Sequence, residues 1–135
     1  MLGRQILRKN MVILDTNSIL RFLLKDNLEK ADIVMKTITE QSCFIPIEVV
    51  AELVYVLTKV YKIERTTVST TIKDFFEINN INVFKKEIIC FALNLFANTK
   101  LDFVDSLLIS YSKIENYEVL TFDSELKKYL AAEGC

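Results

Sequence analysis

The chain has 135 residues, a length typical of one domain. Apolar residues make up 51% of it, with two glycines and one proline, and this composition favours an ordered, helix-rich protein and excludes a disordered one. A formal net charge of −1 argues against an extended polyanion-binding surface, and no apolar run approaches the roughly 20 residues that cross a membrane.

Histidine is absent from the chain. This excludes Ser-His-Asp and Cys-His catalysis, histidine-ligated zinc and a histidine general base. Any chemistry must therefore use carboxylates, hydroxyls, amines or a metal held by oxygen. The three cysteines, Cys43, Cys90 and Cys135, form no CxxC pair, and we expect a reduced protein of the cytoplasm.

The first ten residues, MLGRQILRKN, are basic but too poor in apolar residues for a signal peptide. We interpret residues 1–10 as an N-terminal extension and residues 11–135 as a single domain. Apolar periodicity then predicts an alternation of strands and helices. In chain order, the expected elements are a strand at 12–14, helices at 16–25 and 27–40, a strand at 43–46, helices at 47–61 and 66–78, a strand at 81–84, helices at 85–98 and 102–115, a strand at 118–122 and a helix at 124–130.

This alternation predicts a parallel sheet with helices on both faces. The strand at 12–14 is uniformly apolar, which predicts burial on both of its faces. In such sheets, sites form beyond the carboxyl ends of the strands. Polar residues that directly follow a strand are therefore the first candidates for a functional site.

Two aspartates follow predicted strands immediately. Asp15 ends the run VILD and Asp123 ends the run VLTFD, so both carboxylates should emerge at one edge of the sheet. Each could instead cap the helix that follows, because aspartate accepts hydrogen bonds from the free N–H groups of a helix start. Their shared edge favours a site over capping alone.

Three further acidic residues lie near the same edge. Glu52 lies within the apolar stretch VVAELVYVL, where a desolvated carboxylate would cost on the order of several kcal/mol unless paired. It belongs either to a site or to a narrow solvent-exposed strip of its helix. Asp102 and Asp105 are three residues apart at a helix start and share one face. They form a capping box, part of the site, or both.

Gathered in one place, these five carboxylates would repel one another, and some would be forced to protonate. A hard divalent cation removes the conflict, and ligands that are all oxygens favour Mg²⁺ or Mn²⁺ over zinc. Because Mg²⁺ commonly shares its sites with substrate phosphates, the pattern predicts metal-assisted phosphoryl chemistry.

The ordered segments VILDTN, IEVVAELVYVL, LDFVDSLLISYS and VLTFD resemble the PIN-domain ribonucleases, most closely the VapC-like toxins of bacterial type II toxin–antitoxin pairs. The resemblance covers residues 11–130. It implies an α/β/α sandwich with a central parallel sheet of four to five short strands, one or two Mg²⁺ or Mn²⁺ ions, and endonucleolytic cleavage of RNA. It also implies an antitoxin as protein partner and a homodimer.

The resemblance assigns roles residue by residue. The family's catalytic and metal-binding carboxylates correspond to Asp15, Glu52, Asp105 and Asp123. Asp102 is similar to an extra aspartate that some relatives carry in the pattern DFxD. Polar residues that orient the carboxylates or their waters correspond to Thr16, Asn17 and Thr121.

Substrate phosphates need cations near the carboxylates. The candidates, each of which could equally be a plain solvated charge, are Arg21, Lys25 and Lys100.

Other classes of protein remain as alternatives. A haloacid-dehalogenase-like phosphatase would have a second aspartate two residues after the first, where this chain has Asn17, and it gives Glu52 no role. A phospho-receiver domain fits less well, since such domains have an acidic pair early in the chain and a lysine after a late strand. A non-catalytic PIN-fold module that binds RNA or protein would show substituted carboxylates, and none of the four main positions is lost.

Overall fold

The structure, a computed structural model, describes residues 11–132. The N-terminal extension predicted at residues 1–10 lies outside the described residues. The elements in chain order are β1 (Met11–Ile13), α1 (Thr16–Leu24), α2 (Leu28–Glu40), β2 (Ser42–Ile45), α3 (Ile47–Tyr55), a π-helical turn (Val56–Val60), α4 (Arg65–Phe76), β3 (Ile81–Val83), α5 (Lys86–Asn98), α6 (Phe103–Glu115) and α7 (Ser124–Ala131).

The described chain forms two compact units. Unit 1 contains the chain up to Val56 together with Asp74–Phe84, and unit 2 contains Leu57–Lys73 together with the chain from Lys85 onwards. The sheet and helices α1 to α3 belong to unit 1, and α5 to α7 with most of α4 belong to unit 2. The single domain over residues 11–135 stays a prediction.

The sheet of unit 1 consists of three parallel strands in the order β1-β2-β3. Cys43, in the central strand, is in register with Val12 on one side and Ile81 on the other. Pro46 follows β2 directly and has no N–H to donate to a ladder, so the strand ends at Ile45. Parallel strands joined through helices confirm the predicted α/β class.

Each unit buries one face of its helices. In unit 1, the buried residues include Ile19 of α1, Ile38 of α2 and Leu53 of α3. The predicted apolar face of α4 is confirmed, and its buried residues are Val68, Ile72, Phe75 and Phe76. In unit 2, a compact apolar cluster beneath α6 and α7 consists of Leu101, Ile109 and Leu126, with Leu108, Tyr129 and Leu130 packed against it.

The prediction of a strand at 118–122 is wrong, and the sheet has three strands among the described residues instead of four to five. Residues 116–123 form neither helix nor strand, and the side chains of Leu120 and Phe122 are 90% and 91% exposed. An apolar run becomes a strand only where a neighbouring strand receives its backbone hydrogen bonds, and no described strand pairs with this segment.

Two further expectations need correction. β1 is not buried on both faces, because Met11 and Ile13, two residues apart and so on the same face, are 43% and 63% exposed. The α-helix expected at 47–61 ends at Tyr55 and continues as the π-helical turn. Within residues 11–132, no helix has the length and apolar character needed to cross a membrane.

Candidate functional site

Asp15 begins α1 as its N-cap. Its Oδ1 accepts a hydrogen bond from the Ser18 backbone N–H at 2.8 Å. This bond, followed by one from the Ser18 side chain, lowers the pKa of the Asp15 carboxyl below its ordinary value, although burial acts slightly in the other direction. The predicted capping role of Asp15 is confirmed, and the exposed carboxylate is ionised at neutral pH.

Glu52, also in unit 1, is exposed to solvent. Tyr55, three residues further along α3 and so on the same face, is 62% exposed as well. The expectation that apolar neighbours desolvate Glu52 is therefore wrong, and the solvent-strip interpretation describes its position. Of the supporting polar residues nearby in sequence, Thr16 is buried at 6% exposure and Asn17 is exposed.

Asp102 holds the N-cap position of α6 in unit 2 without using its carboxylate as a cap. Its backbone is extended (φ −65°, ψ 156°), but its side chain makes no capping hydrogen bond. The Ser106 hydroxyl instead donates to the Asp102 carbonyl oxygen at 3.1 Å. The prediction that Asp102 and Asp105 form a capping box is therefore wrong, because the Asp102 side chain makes no capping hydrogen bond. The Asp102 carboxylate is exposed and is not used for capping.

Asp105, in the first turn of α6, is half-buried among other acids. Burial raises the pKa of its carboxyl above the ordinary value, and the negative charges of Asp102, Asp123 and Glu125 raise it further. We call Asp102, Asp105, Asp123 and Glu125 the acidic cluster. The structure therefore brings together three of the predicted site residues within unit 2.

Asp123 begins α7 as a second confirmed cap. Its Oδ1 accepts hydrogen bonds from the backbone N–H groups of Glu125 at 2.9 Å and Leu126 at 3.0 Å. The Thr121 hydroxyl in turn accepts a hydrogen bond from the Asp123 N–H at 3.1 Å. Thr121, predicted as a supporting polar residue, thus shapes the turn that leads into α7.

The acidic cluster forms because α6 and α7 run side by side in the same direction. Asp105 and Asp123, at the starts of the two helices, interact electrostatically. At the other end, Lys113 Nζ donates to the Leu130 carbonyl at 3.0 Å and also to the Ala132 carbonyl. Both helices therefore direct the positive end of their dipoles towards the acidic cluster, which partly offsets its repulsion.

The donor chemistry of the acidic cluster fits a hard divalent cation, since all its ligand atoms are carboxylate oxygens. Asp102 supports this fit because its carboxylate is not used for capping, and Asp105 supports it because neighbouring charges oppose its ionisation. As the side chains stand, no group of three carboxylates or thiols in the described part of the chain is arranged to hold a metal ion. The carboxylates would have to adjust around an ion.

The predicted phosphate-binding cations have differing surroundings. Arg21 forms an ion pair with Asp26 at 2.8 Å. Lys25 ends α1 with a left-handed backbone (φ 52°) and places its Nζ 4.6 Å from the centre of the Phe22 ring. Lys100 is exposed. Intramolecular partners therefore engage two of the three candidates.

Sequence reasoning missed two charged residues of unit 2 that act on the predicted site. Glu125 lies two residues after Asp123, and the helix start predicted at 124 was a signal that could have placed it beside that carboxylate. Arg65 interacts electrostatically with Asp102. Because Arg65 and Asp102 are far apart in sequence, no local pattern indicates their interaction.

Comparison with known families gives one match. A family model described as the PIN domain matches residues 12–130, which is most of the chain. Comparisons with curated proteins and with solved structures give no match.

Proposed function

We propose that this chain, which belongs to the PIN-domain family, is a metal-dependent endoribonuclease. PIN domains are nucleases that generally use divalent metal ions. The finer points, that the substrate is RNA and that the ion is Mg²⁺ or Mn²⁺, are our proposal. They are supported by the sequence resemblance and by the ligand chemistry of the acidic residues.

The observation that carries the proposal is the state of Asp105. Its pKa is raised by burial and by three neighbouring negative charges, so unit 2 holds carboxylates that disfavour one another's ionisation. This repulsion lowers the stability of the fold, although the dipoles of α6 and α7 offset part of it. A bound cation would turn the repulsion into attraction, which gives the acidic cluster a purpose.

We assign the ligand oxygens to the five carboxylates predicted from the sequence. The residues proposed to hold one or two ions are Asp15, Glu52, Asp102, Asp105 and Asp123. Four of them, Asp15, Glu52, Asp105 and Asp123, are proposed as catalytic. When bound, the ion supplies positive charge that activates water and offsets the charge developing on the phosphodiester. Asp105 or Asp123 would orient the attacking water, and Thr121 would support Asp123 through the turn described above.

Attack by water, rather than by the ribose 2′-hydroxyl, determines the products. It leaves a 5′-phosphate on one fragment and a 3′-hydroxyl on the other. End-labelling of the fragments with and without phosphatase treatment checks this, and 2′,3′-cyclic phosphate ends would contradict it. Thr16 and Asn17 are proposed to support Asp15, and Arg21, Lys25 and Lys100 to contact substrate phosphates.

The decisive test is cleavage of structured RNA in the presence of Mg²⁺ or Mn²⁺, with EDTA as the metal-free control. We expect cleavage that EDTA stops and that Asp15→Asn abolishes while circular dichroism shows a folded chain. Asp32→Asn, at an exposed aspartate of α2 with no proposed role, is the matched control and should retain cleavage. RNA binding without cleavage in the wild-type chain would instead support the non-catalytic PIN-fold module.

The biological setting we propose is the toxin of a toxin–antitoxin pair, acting on RNA in the cytoplasm as a homodimer. The support is the resemblance of the ordered segments to VapC-like toxins. Expression of the wild-type chain should arrest growth of a bacterial host, and Asp105→Asn should not. Light scattering of the purified protein would give its mass, and a monomer at micromolar concentration would contradict the dimer.

A further inference from the structure

Arg65, the first residue of α4, bridges the two ends of the turn that joins α5 to α6 in unit 2. Its Nε donates to the Phe96 carbonyl at 2.8 Å, and its Nη2 donates to the Leu101 carbonyl. The guanidinium carbon also lies 3.6 Å from the centre of the Phe96 ring. One side chain therefore contacts the chain before the turn and after it.

The planar geometry of the guanidinium makes this bridge rigid. An arginine presents its N–H groups in a fixed fork, whereas a lysine offers a single rotatable ammonium. The two carbonyls are five residues apart in sequence, so the fork fixes the distance between them. Phe96 in turn packs edge-on against Phe103, the first residue of α6, with ring centres 6.2 Å apart. The bridge thus reaches the start of α6.

Asp102 is adjacent to this bridge in sequence and interacts with it electrostatically. It directly follows Leu101, the second carbonyl partner, and its carboxylate interacts electrostatically with the Arg65 guanidinium. The Asp102 carbonyl also accepts the Ser106 backbone N–H at 3.0 Å, which starts the hydrogen-bond ladder of α6. Movement at Leu101 would therefore displace both Asp102 and the first turn, which carries Asp105.

We propose that Arg65 is a positioning residue that holds the turn between α5 and α6 and thereby sets the geometry of Asp102 and Asp105 for the cation. This inference rests on the proposed metal-dependent function. In this role Arg65 touches neither substrate nor metal and acts through the turn, since its Nε and Nη2 donate to the Phe96 and Leu101 carbonyls.

If Arg65 acted on Asp102 through its charge alone, removing that charge would change cation affinity in the opposite direction, and this makes the inference testable. A positive charge beside Asp102 competes with a metal cation, so its removal should strengthen cation binding by electrostatics. Loss of the carbonyl bridge should weaken cation binding, because a displaced ligand must be reordered when the ion binds. The sign of the change in affinity separates the two roles.

The experiment compares the full chain with Arg65→Lys, which keeps the charge but loses the fork, and Arg65→Gln, which loses both. Lys73→Met is the matched control, since Lys73 also joins α4 to α5, through the Asn94 side chain at 2.6 Å, but contacts no acidic residue of the cluster. Three quantities are measured: amide exchange at Ser106 in the metal-free protein, the Kd for Mn²⁺ by titration calorimetry, and the Mn²⁺ dependence of RNA cleavage.

We expect both Arg65 variants to speed amide exchange at Ser106 and to weaken Mn²⁺ binding by about tenfold, the lower end of the range for residues that support metal ligands. Cleavage by Arg65→Lys should need about tenfold more Mn²⁺ but reach a kcat within about twofold of wild type at saturation. A general structural defect would lower kcat at every Mn²⁺ concentration instead. Lys73→Met should match wild type in all three measurements.

Any one of three results would overturn the role of Arg65. They are unchanged amide exchange at Ser106, an unchanged or tighter Kd for Mn²⁺, and a loss of kcat that saturating Mn²⁺ does not restore. Should circular dichroism show that the Arg65 variants do not fold, Phe96→Leu takes their place; it removes the ring under the guanidinium but keeps both carbonyl partners, so we expect changes in the same direction but smaller. A wild-type chain that binds no Mn²⁺ would overturn the proposed function itself, whereas normal wild-type binding with unaffected variants overturns only the role of Arg65.

Discussion

The starts of α1 and α6 each carry an aspartate, Asp15 at the N-cap and Asp105 in the first turn, and the pKa values of the two carboxyls shift in opposite directions. At α1, the Asp15 carboxylate accepts the Ser18 N–H, and its pKa falls. At α6, Asp105 is half-buried beside three other acids, and its pKa rises. The ionised form of Asp15 is stabilised by its cap hydrogen bond, whereas burial and neighbouring charges disfavour the ionised form of Asp105. The comparison teaches that backbone N–H donors and neighbouring acids act on a carboxyl pKa in opposite directions, and the second kind of surroundings is the one we propose for a cation.

The largest expected effect is on catalysis by Asp105→Asn. Cleavage of RNA should fall at least about 100-fold, since metal-based stabilisation of the transition state contributes several kcal/mol. Single-turnover rates with Mn²⁺ measure the effect, and Asp32→Asn again serves as the control. Cleavage within about threefold of wild type would remove Asp105 from the proposed catalytic residues.

Divalent metal should stabilise the wild-type protein but not Asp105→Asn. At an Mn²⁺ concentration about 100 times the Kd, the free energy of unfolding should rise by about 2.7 kcal/mol, because only the folded chain assembles the ligands. Thermal melts with Mn²⁺ and with EDTA measure the difference. An equal rise in both proteins would place the ion elsewhere and break the contrast between Asp105 and Asp15.

Removal of the cap at α1 should destabilise the fold. Asp15→Ala leaves the Ser18 N–H without its carboxylate partner and should lower the free energy of unfolding by about 1 kcal/mol. Asp15→Asn should cost less, since asparagine is also a good cap. Urea unfolding of the metal-free proteins at pH 7 gives both values. Equal stability of Asp15→Ala and wild type would mean that the cap contributes nothing.

The smallest effect is the stability of metal-free Asp105→Asn, which should exceed that of wild type by about 0.5 kcal/mol at pH 7. A carboxyl whose pKa is raised on folding loses stability as the pH rises from its ordinary value of 3.8 through the folded pKa. Asp15 has the opposite sign, and its contribution is lost as the pH falls below 3.8.

The difference in stability between Asp105→Asn and wild type should therefore grow from pH 4 to pH 7. The difference between wild type and Asp15→Ala should instead shrink as the pH falls below 4. Urea titrations at several pH values test both slopes. A constant difference for Asp105→Asn would show that its neighbours do not oppose its ionisation.

Local patterns predicted most of the helices, because apolar spacing and capping residues act within a few positions. The fold of α4 follows from Val68 and Ile72, and the cap at α1 follows from Asp15. Features that depend on distant partners were not predictable in this way. Glu52 has apolar sequence neighbours, yet its face of α3 is open to solvent. The contact of Arg65 with Leu101 joins residues far apart in the chain.

The site shows the same limit. The sequence named Asp102, Asp105 and Asp123, and within unit 2 these residues do interact. It did not reveal that Asp102 leaves its carboxylate unused at the helix start, since an aspartate followed three residues later by an acid is typical of a capping box. The backbone of Asp102 is extended, like that of the capping residue Asp15, so the difference between the two outcomes lies in the side chain and not in the backbone.

The exposed segment before α7 has a consequence for handling the protein. Leu120 and Phe122, 90% and 91% exposed in a stretch without regular structure, offer the accessible chain and large apolar side chains that chymotrypsin cleaves. A cut after Phe122 would sever the peptide bond to Asp123 and leave α7 held to α6 by non-covalent contacts alone. Brief digestion should therefore produce a defined C-terminal fragment, and a binding partner that covers this segment would be detected by the disappearance of that fragment.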